Sequence, residues 1–229
     1  MALKFDASTI QKIRTLLREL DLRSFDSKLP RSMQRDPAEY TRRMKRQAAV
    51  AVSMLNVDNE ASLLFTVRSE IVGTHAGHVS FPGGHVEEGE TFEAAACREL
   101  NEETNLVGFP ICRYHAVRAM TGTMVTPVLC FVQTPLIQEQ VQNSKEYSDE
   151  VSKVFSLKIS DLFVPESRTV EELRDWQMPR FNVGSNPSVW GLTAFILDGV
   201  LRDVFAPVFN IERYPPREEK TNDSHSIKL

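Results

Sequence analysis

Between Pro82 and Leu106 the chain prescribes, in succession, a loop, a helix start, a helix face and a helix stop. Pro82, Gly83, Gly84 and Gly89 punctuate FPGGHVEEGE so densely that this stretch is expected to be loop. Thr91 follows as an N-cap for a helix, with Glu93 in the first turn, where the helix dipole favours a negative charge. Phe92, Ala95, Ala96 and Leu100 recur at helical spacing and supply a stripe to bury. Asn105 stands where the helix must close, and asparagine is, after glycine, the residue that best tolerates the left-handed conformation usual there.

On that helix Glu99, Glu102 and Glu103 are spaced i, i+3 and i+4, so their carboxylates share one face and repel one another. Acidic helix faces are common and usually only solvated. Here the cluster follows a glycine-rich loop and sits a fixed distance from Glu90, which lies eight residues before Arg98. Hard ions such as Mg²⁺ or Mn²⁺ take oxygen ligands, and Mg²⁺ commonly shares its shell with substrate phosphates. Such ions neutralise a diphosphate and lower the pKa of a bound water, and a neighbouring glutamate accepts the proton. Glycine at position 84 lets the backbone approach a metal closely enough to lend a carbonyl.

The rest of the chain supplies material for one core. Its 229 residues, 41% hydrophobic, favour a single domain with trimmings. Ile10, Ile13, Leu16, Leu17 and Leu20 predict an amphipathic helix laid against the domain, followed by a polar connector over residues 27–46. AAVAVSML and SLLFTVRS read as neighbouring strands joined by a turn containing Asn59. Further strands are expected around residues 111–118, 127–133 and 151–157, with a hairpin-prone section over residues 169–182. VWGLTAFILDGVLRDVF predicts a long amphipathic helix, which Trp190 and Thr193 anchor by packing. The polar stretch from Arg213 to Leu229 is expected to be disordered. Mixed strands with two or three helices give an α/β or α+β fold, a mixed β-sheet sandwiched between helices. The expected division is an N-terminal helix and connector over residues 1–44, the main domain over 45–212 and a tail over 213–229.

A formal net charge of −4 gives no basic face for nucleic acid, and no apolar run approaches the ~18 residues of a membrane span. Cys97, Cys112 and Cys130 are odd in number and lack CxxC spacing, so neither a disulfide framework nor a zinc site is expected. Cys97 reads as a small packing residue within the helix. The expected partner is a small anionic molecule, with oligomeric state left open. A reducing, intracellular setting fits, and cytoplasm, mitochondrion and peroxisome all stay open. Ser226-Ile227-Lys228-Leu229 only approximates the Ser-Lys-Leu peroxisomal address, with Ile227 where a small residue is required.

GHVEEGETFEAAACRELNEETNL resembles the Nudix box: glycine, five residues, glutamate, seven residues, then Arg-Glu-apolar-x-Glu-Glu-x-Gly-apolar. Gly84, Glu90, Arg98, Glu99, Leu100, Glu102, Glu103 and Leu106 match, and Asn105 replaces the glycine. The resemblance implies the Nudix fold and Mg²⁺ or Mn²⁺ as cofactor. It implies that Glu99, Glu102 and Glu103, with Gly84, hold the metal. The general base would be Glu99 or a glutamate outside the box, for which Glu150 is a candidate. Glu90 and Arg98 would form a salt bridge that stiffens the loop.

The preceding stretch, LLFTVRSEIVGTHAGHVSFPGG, resembles the motif before the box in coenzyme A pyrophosphatases, with His78 as a departure. VTPVLCFV, SDEVSKVFSLKISDLF and VWGLTAFIL extend the similarity over roughly residues 45–200. It implies hydrolysis of coenzyme A or acyl-coenzyme A to 3′,5′-ADP and a 4′-phosphopantetheine product. Arg68 suits a bidentate phosphate contact. His75, Phe81 and Gly83 are further candidate substrate contacts, the alternative for Phe81 being a core or loop-packing aromatic. The competing functions are the same hydrolysis on ADP-ribose, NADH or a damaged nucleotide, and a non-catalytic Nudix-like binding module.

Overall fold

The computed structural model describes residues 2–19, 47–69, 77–144, 149–173, 176–212 and Tyr214. Helix α1 (Ala7–Glu19) starts where the Asp6 carboxylate accepts the Thr9 N–H, 2.8 Å, and it buries Ile10, Ile13 and Leu17. Leu20, the connector 27–46 and the tail 215–229 lie outside the described residues.

Strands β1 (Gln47–Val57) and β2 (Glu60–Arg68) form a hairpin whose turn residues Asp58 and Asn59 both have positive φ, as a two-residue loop of this hand requires. The two strands pair only as far as Met54 and Leu63. Beyond that they part. β3 (Val79–Ser80) pairs with β2, and β4 (Gly83–His85) pairs with β1, so the short strands fill the fork. The expectation of loop throughout FPGGHVEEGE is therefore corrected at Gly83–His85. Without side chains at 83 and 84, the segment comes close enough to Ala48–Val50 to join the sheet.

β7 (Met124–Phe131) runs parallel to the other edge of β1 and is flanked by β5 (Phe109–Arg113) and β6 (Val117–Arg118). The single strand expected over 111–118 is thus two. Its register shifts between Pro110 and Cys112, next to the residue that has no N–H to donate. β8 (Val151–Lys158) completes the mixed sheet along β2. The section 169–182 folds as the separate hairpin β9 (Arg168–Leu173) and β10 (Trp176–Phe181).

Alternation sorts β1 between two cores. Ala49, Ala51, Leu55 and Val57 join Leu64, Val128 and Cys130 on the face covered by helix α2 (Phe92–Thr104). Val52 and Met54 join α1 and the C-terminal helices on the opposite face. Cys97 of α2 packs on Cys130, Sγ to Sγ 3.8 Å, and all three cysteines are free thiols. The remaining short helices are α3 (Gln138–Asn143) and α4 (Ile159–Leu162).

The final helix differs from expectation. α5 (Gly191–Val200) passes into a π-helical turn, Leu201–Phe205, and then α6 (Ala206–Val208). Pro207 cannot donate to the Asp203 carbonyl, which breaks the regular ladder. Residues 194–201 are buried all round rather than along one stripe, because α5 shares a core with Val52, Met54 and Phe65 of the sheet and packs against β10 as well. Even Asp198 is buried, satisfied by Arg168 Nε and Tyr214 Oη, each at 2.7 Å from Oδ1. Packing consequently extends past residue 212 to Tyr214. No helix among the described residues is long and apolar enough to cross a membrane.

Candidate active site

The fork between β1 and β2 is where α2 delivers its carboxylates. Thr91 caps the helix as expected, its Oγ1 accepting the Ala94 N–H at 3.1 Å. Ala95, Ala96 and Leu100 fix the helix to the sheet. Asn105 closes it with φ 54°, its N–H donating to the Asn101 carbonyl at 2.7 Å, so the departure from glycine preserves the left-handed stop. Phe92 is only partly buried.

Glu103 points into the fork and is 8% exposed. Thr66 Oγ1 of β2 donates to Oε2 at 3.1 Å, and the Gly83 N–H of β4 donates to Oε1 at 3.4 Å. Burial pushes its pKa up to about 7, and the nearby Glu99 adds to the rise, against the two hydrogen bonds and Arg68. Thr66 also contacts Ser80 Oγ at 3.2 Å. Neither is among the site residues expected from the sequence, although both fall at matching positions of the stretch that resembles the coenzyme A pyrophosphatase motif.

Glu99 lies directly against Gly84, where a Cβ would fall 2.3 Å from its Oε1. Its carboxyl is also pushed up by burial, opposed by Arg98, with Glu102 and Glu150 adding to the rise. Arg98 is the hub of the loop. Nε and Nη2 grip both oxygens of Glu90 at 2.9 and 3.1 Å, and Nη2 also donates to the His85 carbonyl at 3.1 Å. Nη1 donates to Glu99 at 2.9 Å and to Glu102 at 3.0 Å. Glu90 accepts the Glu87 N–H as well, 3.0 Å, and its carboxyl is held low chiefly by Arg98. Arg98→Ala removes all five of these hydrogen bonds and is expected to free the loop from α2, which hydrogen exchange reads as faster exchange of the Glu87 N–H; unchanged exchange there would dismiss the clamp.

Across the mouth, Glu150 immediately precedes β8, and its carboxylate is 3.9 Å from Arg68 Nη2. The Ser69 N–H donates to the Glu150 carbonyl at 2.8 Å, which ties this wall to the end of β2. Arg68 and Glu150 therefore join the box glutamates, while Glu102 stays at the exposed edge. Among the described residues, no three His, Cys, Asp or Glu side chains converge as a ready metal cage. Arg98 draws Glu99 and Glu102 toward itself, whereas Glu103 is turned to Thr66 and Gly83.

Of the candidate substrate contacts, Phe81 is corrected. Phe81 is 2% exposed and stacks on Phe65 with centroids 4.9 Å apart, so it is a core aromatic. It alternates with Ser80 along the strand and falls on the opposite face from Glu103. Gly83 serves the backbone: an added Cβ would lie 2.5 Å from the Ala49 carbonyl oxygen, and its N–H is turned to Glu103. His75 lies outside the described residues.

The NUDIX domain family model matches residues 44–177, more than half of the chain. The chain belongs to the Nudix family. This Nudix protein is 30% identical over 180 residues to a probable nudix hydrolase of Schizosaccharomyces pombe, covering 73% of this chain but only 59% of that one. It is 32% identical over 174 residues to the uncharacterized Nudix hydrolase NudL of Klebsiella pneumoniae, covering 70% of this chain and 81% of the relative. Similarity to the mouse mitochondrial coenzyme A diphosphatase NUDT8 is 31% over 175 residues, covering 71% and 79%.

Proposed function

We propose that this Nudix protein hydrolyses the diphosphate bond of coenzyme A or its acyl thioesters to 3′,5′-ADP and the corresponding 4′-phosphopantetheine. The observation that carries the reading is that the coenzyme A-type stretch and the Nudix box build one site. Thr66 and Gly83 of the former both donate to Glu103 of the latter, and Arg68 lies close enough to lower the Glu103 pKa. The similarity to a coenzyme A diphosphatase from mouse supports the same substrate class.

The donor set fits a hard divalent cation in the mode that uses few protein carboxylates and completes its shell with water and substrate phosphates. Glu99, Glu102 and Glu103, with the Gly84 carbonyl, would hold Mg²⁺ or Mn²⁺, which supplies charge neutralisation and a more acidic water. The cradle at Gly84 sets Glu99 against the backbone, and Glu99 and Glu103 are both raised by burial and further by neighbouring carboxylates, an electrostatic cost that a cation would relieve.

This chain's residues do the rest. Arg68 binds phosphate oxygens, Arg98 holds Glu90 and Glu99 in place, and Glu150 takes the proton of the attacking water. That water's oxygen bonds to phosphorus as the bridging P–O bond breaks and the leaving phosphate departs with the electron pair. Glu150 is assigned the proton because it faces the box from the opposite wall and is solvent-accessible, while Glu103 has donors on both oxygens.

Purified protein incubated with Mg²⁺ and a panel of coenzyme A, acyl-coenzyme A, ADP-ribose, NADH and dinucleoside polyphosphates tests the reading by chromatography of the products. Cleavage of coenzyme A to 3′,5′-ADP is the expected result. Survival of coenzyme A alongside cleavage of another member overturns the substrate, and survival of the whole panel overturns the enzyme.

A further inference from the structure

Past Arg68, beside the neighbouring β3 end, stands a large aromatic that hydrolysis itself does not use. Trp190, read from the sequence as a packing anchor, is 41% exposed. It directly precedes α5, whose first turn is tied to β3 by Thr193 Oγ1 donating to the Val79 carbonyl at 2.9 Å. The His78 ring meets the indole edge-to-face with centroids 4.5 Å apart. His78 is in turn joined to Arg68, whose N–H donates to the His78 carbonyl at 3.0 Å. A continuous series of contacts therefore runs from Trp190 through His78 and Arg68 to the Glu150 and Glu103 carboxylates.

The other neighbour is a cation. Arg180 Cζ lies 5.8 Å from the indole centroid, and its guanidinium is fixed by both oxygens of Glu171, 2.6 and 3.1 Å, and by Ser188 Oγ, 3.0 Å. The ring is thus held from two sides, yet it leaves a large apolar surface in water beside a helix that buries nearly everything else. An ordered aromatic beside one arginine, and joined through His78 to the strand that carries a second, suits a planar base attached to phosphates. A flexible, uncharged pantetheine arm gains little from that combination.

We propose that Trp190 is the stacking platform for the purine base of the substrate, with Arg180 and Arg68 on the side of its phosphates. This inference rests on the diphosphate-hydrolase reading, and it assigns the nucleotide half of the substrate to the β3–α5 rim. Base stacking on an aromatic side chain changes affinity by about 5- to 150-fold.

The chain has two tryptophans, Trp176 and Trp190. Indole emission is followed in the wild type and in Trp190→Phe during titration with ADP, the unit common to the adenine substrates of the panel, and separately with 4′-phosphopantetheine. Saturable quenching by ADP in the wild type, largely lost in Trp190→Phe and absent with 4′-phosphopantetheine, is expected. No change with ADP, equal quenching in both proteins, or a response to 4′-phosphopantetheine alone overturns the assignment. On whichever panel member is cleaved, Trp190→Ala raises KM about 5- to 150-fold with the effect chiefly in KM, and Trp190→Phe restores most of it. A loss confined to kcat, not restored by phenylalanine, makes Trp190 structural and also overturns it. Failure to cleave coenzyme A sinks the substrate reading alone, because the ADP titration is read without turnover.

Discussion

Glu103→Gln is expected to make the metal-free protein more stable at neutral pH while lowering hydrolytic kcat by a hundredfold or more, several kcal/mol being a usual share for metal-assisted charge stabilisation. The stability gain follows from linkage. The folded Glu103 carboxyl has a pKa of about 7 against an ordinary value of 4.5, so between those values the folded state binds more protons than the unfolded chain. Stability is therefore fully present below about pH 4.5 and is lost as pH rises toward 7, by up to about 3 kcal/mol. Glutamine keeps its oxygen as acceptor for the Gly83 N–H, its amide donates to Thr66 Oγ1, whose hydroxyl can turn to the Ser80 carbonyl, and it has no charge to desolvate. Thermal melts in chelator at pH 5 and pH 8 read the effect directly. Parallel pH dependence in the wild type and the variant would remove buried ionisation of Glu103 as its cause. Mg²⁺ at pH 8 is expected to raise the midpoint of the wild type more than that of the variant.

The second large effect separates two adjacent glycines. In Gly84→Ala the three atoms nearest the new Cβ all belong to the Glu99 side chain, at 2.3, 2.6 and 2.8 Å, and that side chain can turn away where a backbone could not. We expect a fall in kcat of about a hundredfold or more with a melting temperature close to wild type, in line with loss of a placed charge. In Gly83→Ala the Cβ meets backbone, the Ala49 carbonyl oxygen at 2.5 Å and Val50 Cα at 2.7 Å. That contact cannot be relieved by a rotamer. It pushes β4 off β1 and costs about 1–3 kcal/mol of stability. Melting curves and kcat measured on both variants distinguish the cases, and a Gly84→Ala enzyme with full activity would remove Glu99 from the working site.

Both predictions depend on contacts across the fork, and that is where sequence and structure divide. The helix from Phe92 to Thr104, its Thr91 cap and its Asn105 stop were legible because each is decided within a few residues: a hydroxyl reaching the next turn, a left-handed closing residue, an apolar stripe at 3.6 spacing. The Glu90–Arg98 pair was legible through the resemblance of the box. Strands β1, β2, β7 and β8 were legible as apolar runs, but which strand lies beside which was not. The pairing of Glu103 with Thr66, 37 positions away, depends on β3 and β4 filling the gap between β1 and β2.

Phe81 shows the limit most directly. In SFPGG it stands among the candidate substrate contacts although a core or loop-packing role is favoured, and the sheet face it occupies makes it core. Trp190 went the other way, from an expected anchor to a partly exposed ring beside His78 and Arg180.

By itself the sequence determined the residue types of a Nudix box and the local shape of the segment that carries them, because capping, helical period and glycine chemistry act over one or two turns. The tertiary structure decided which carboxylates are buried, what Arg98 holds and which aromatic is core and which is left exposed. Burial and pairing are properties of surfaces brought together from distant parts of the chain, and desolvation, the largest cause of the high Glu103 pKa, exists only once they meet.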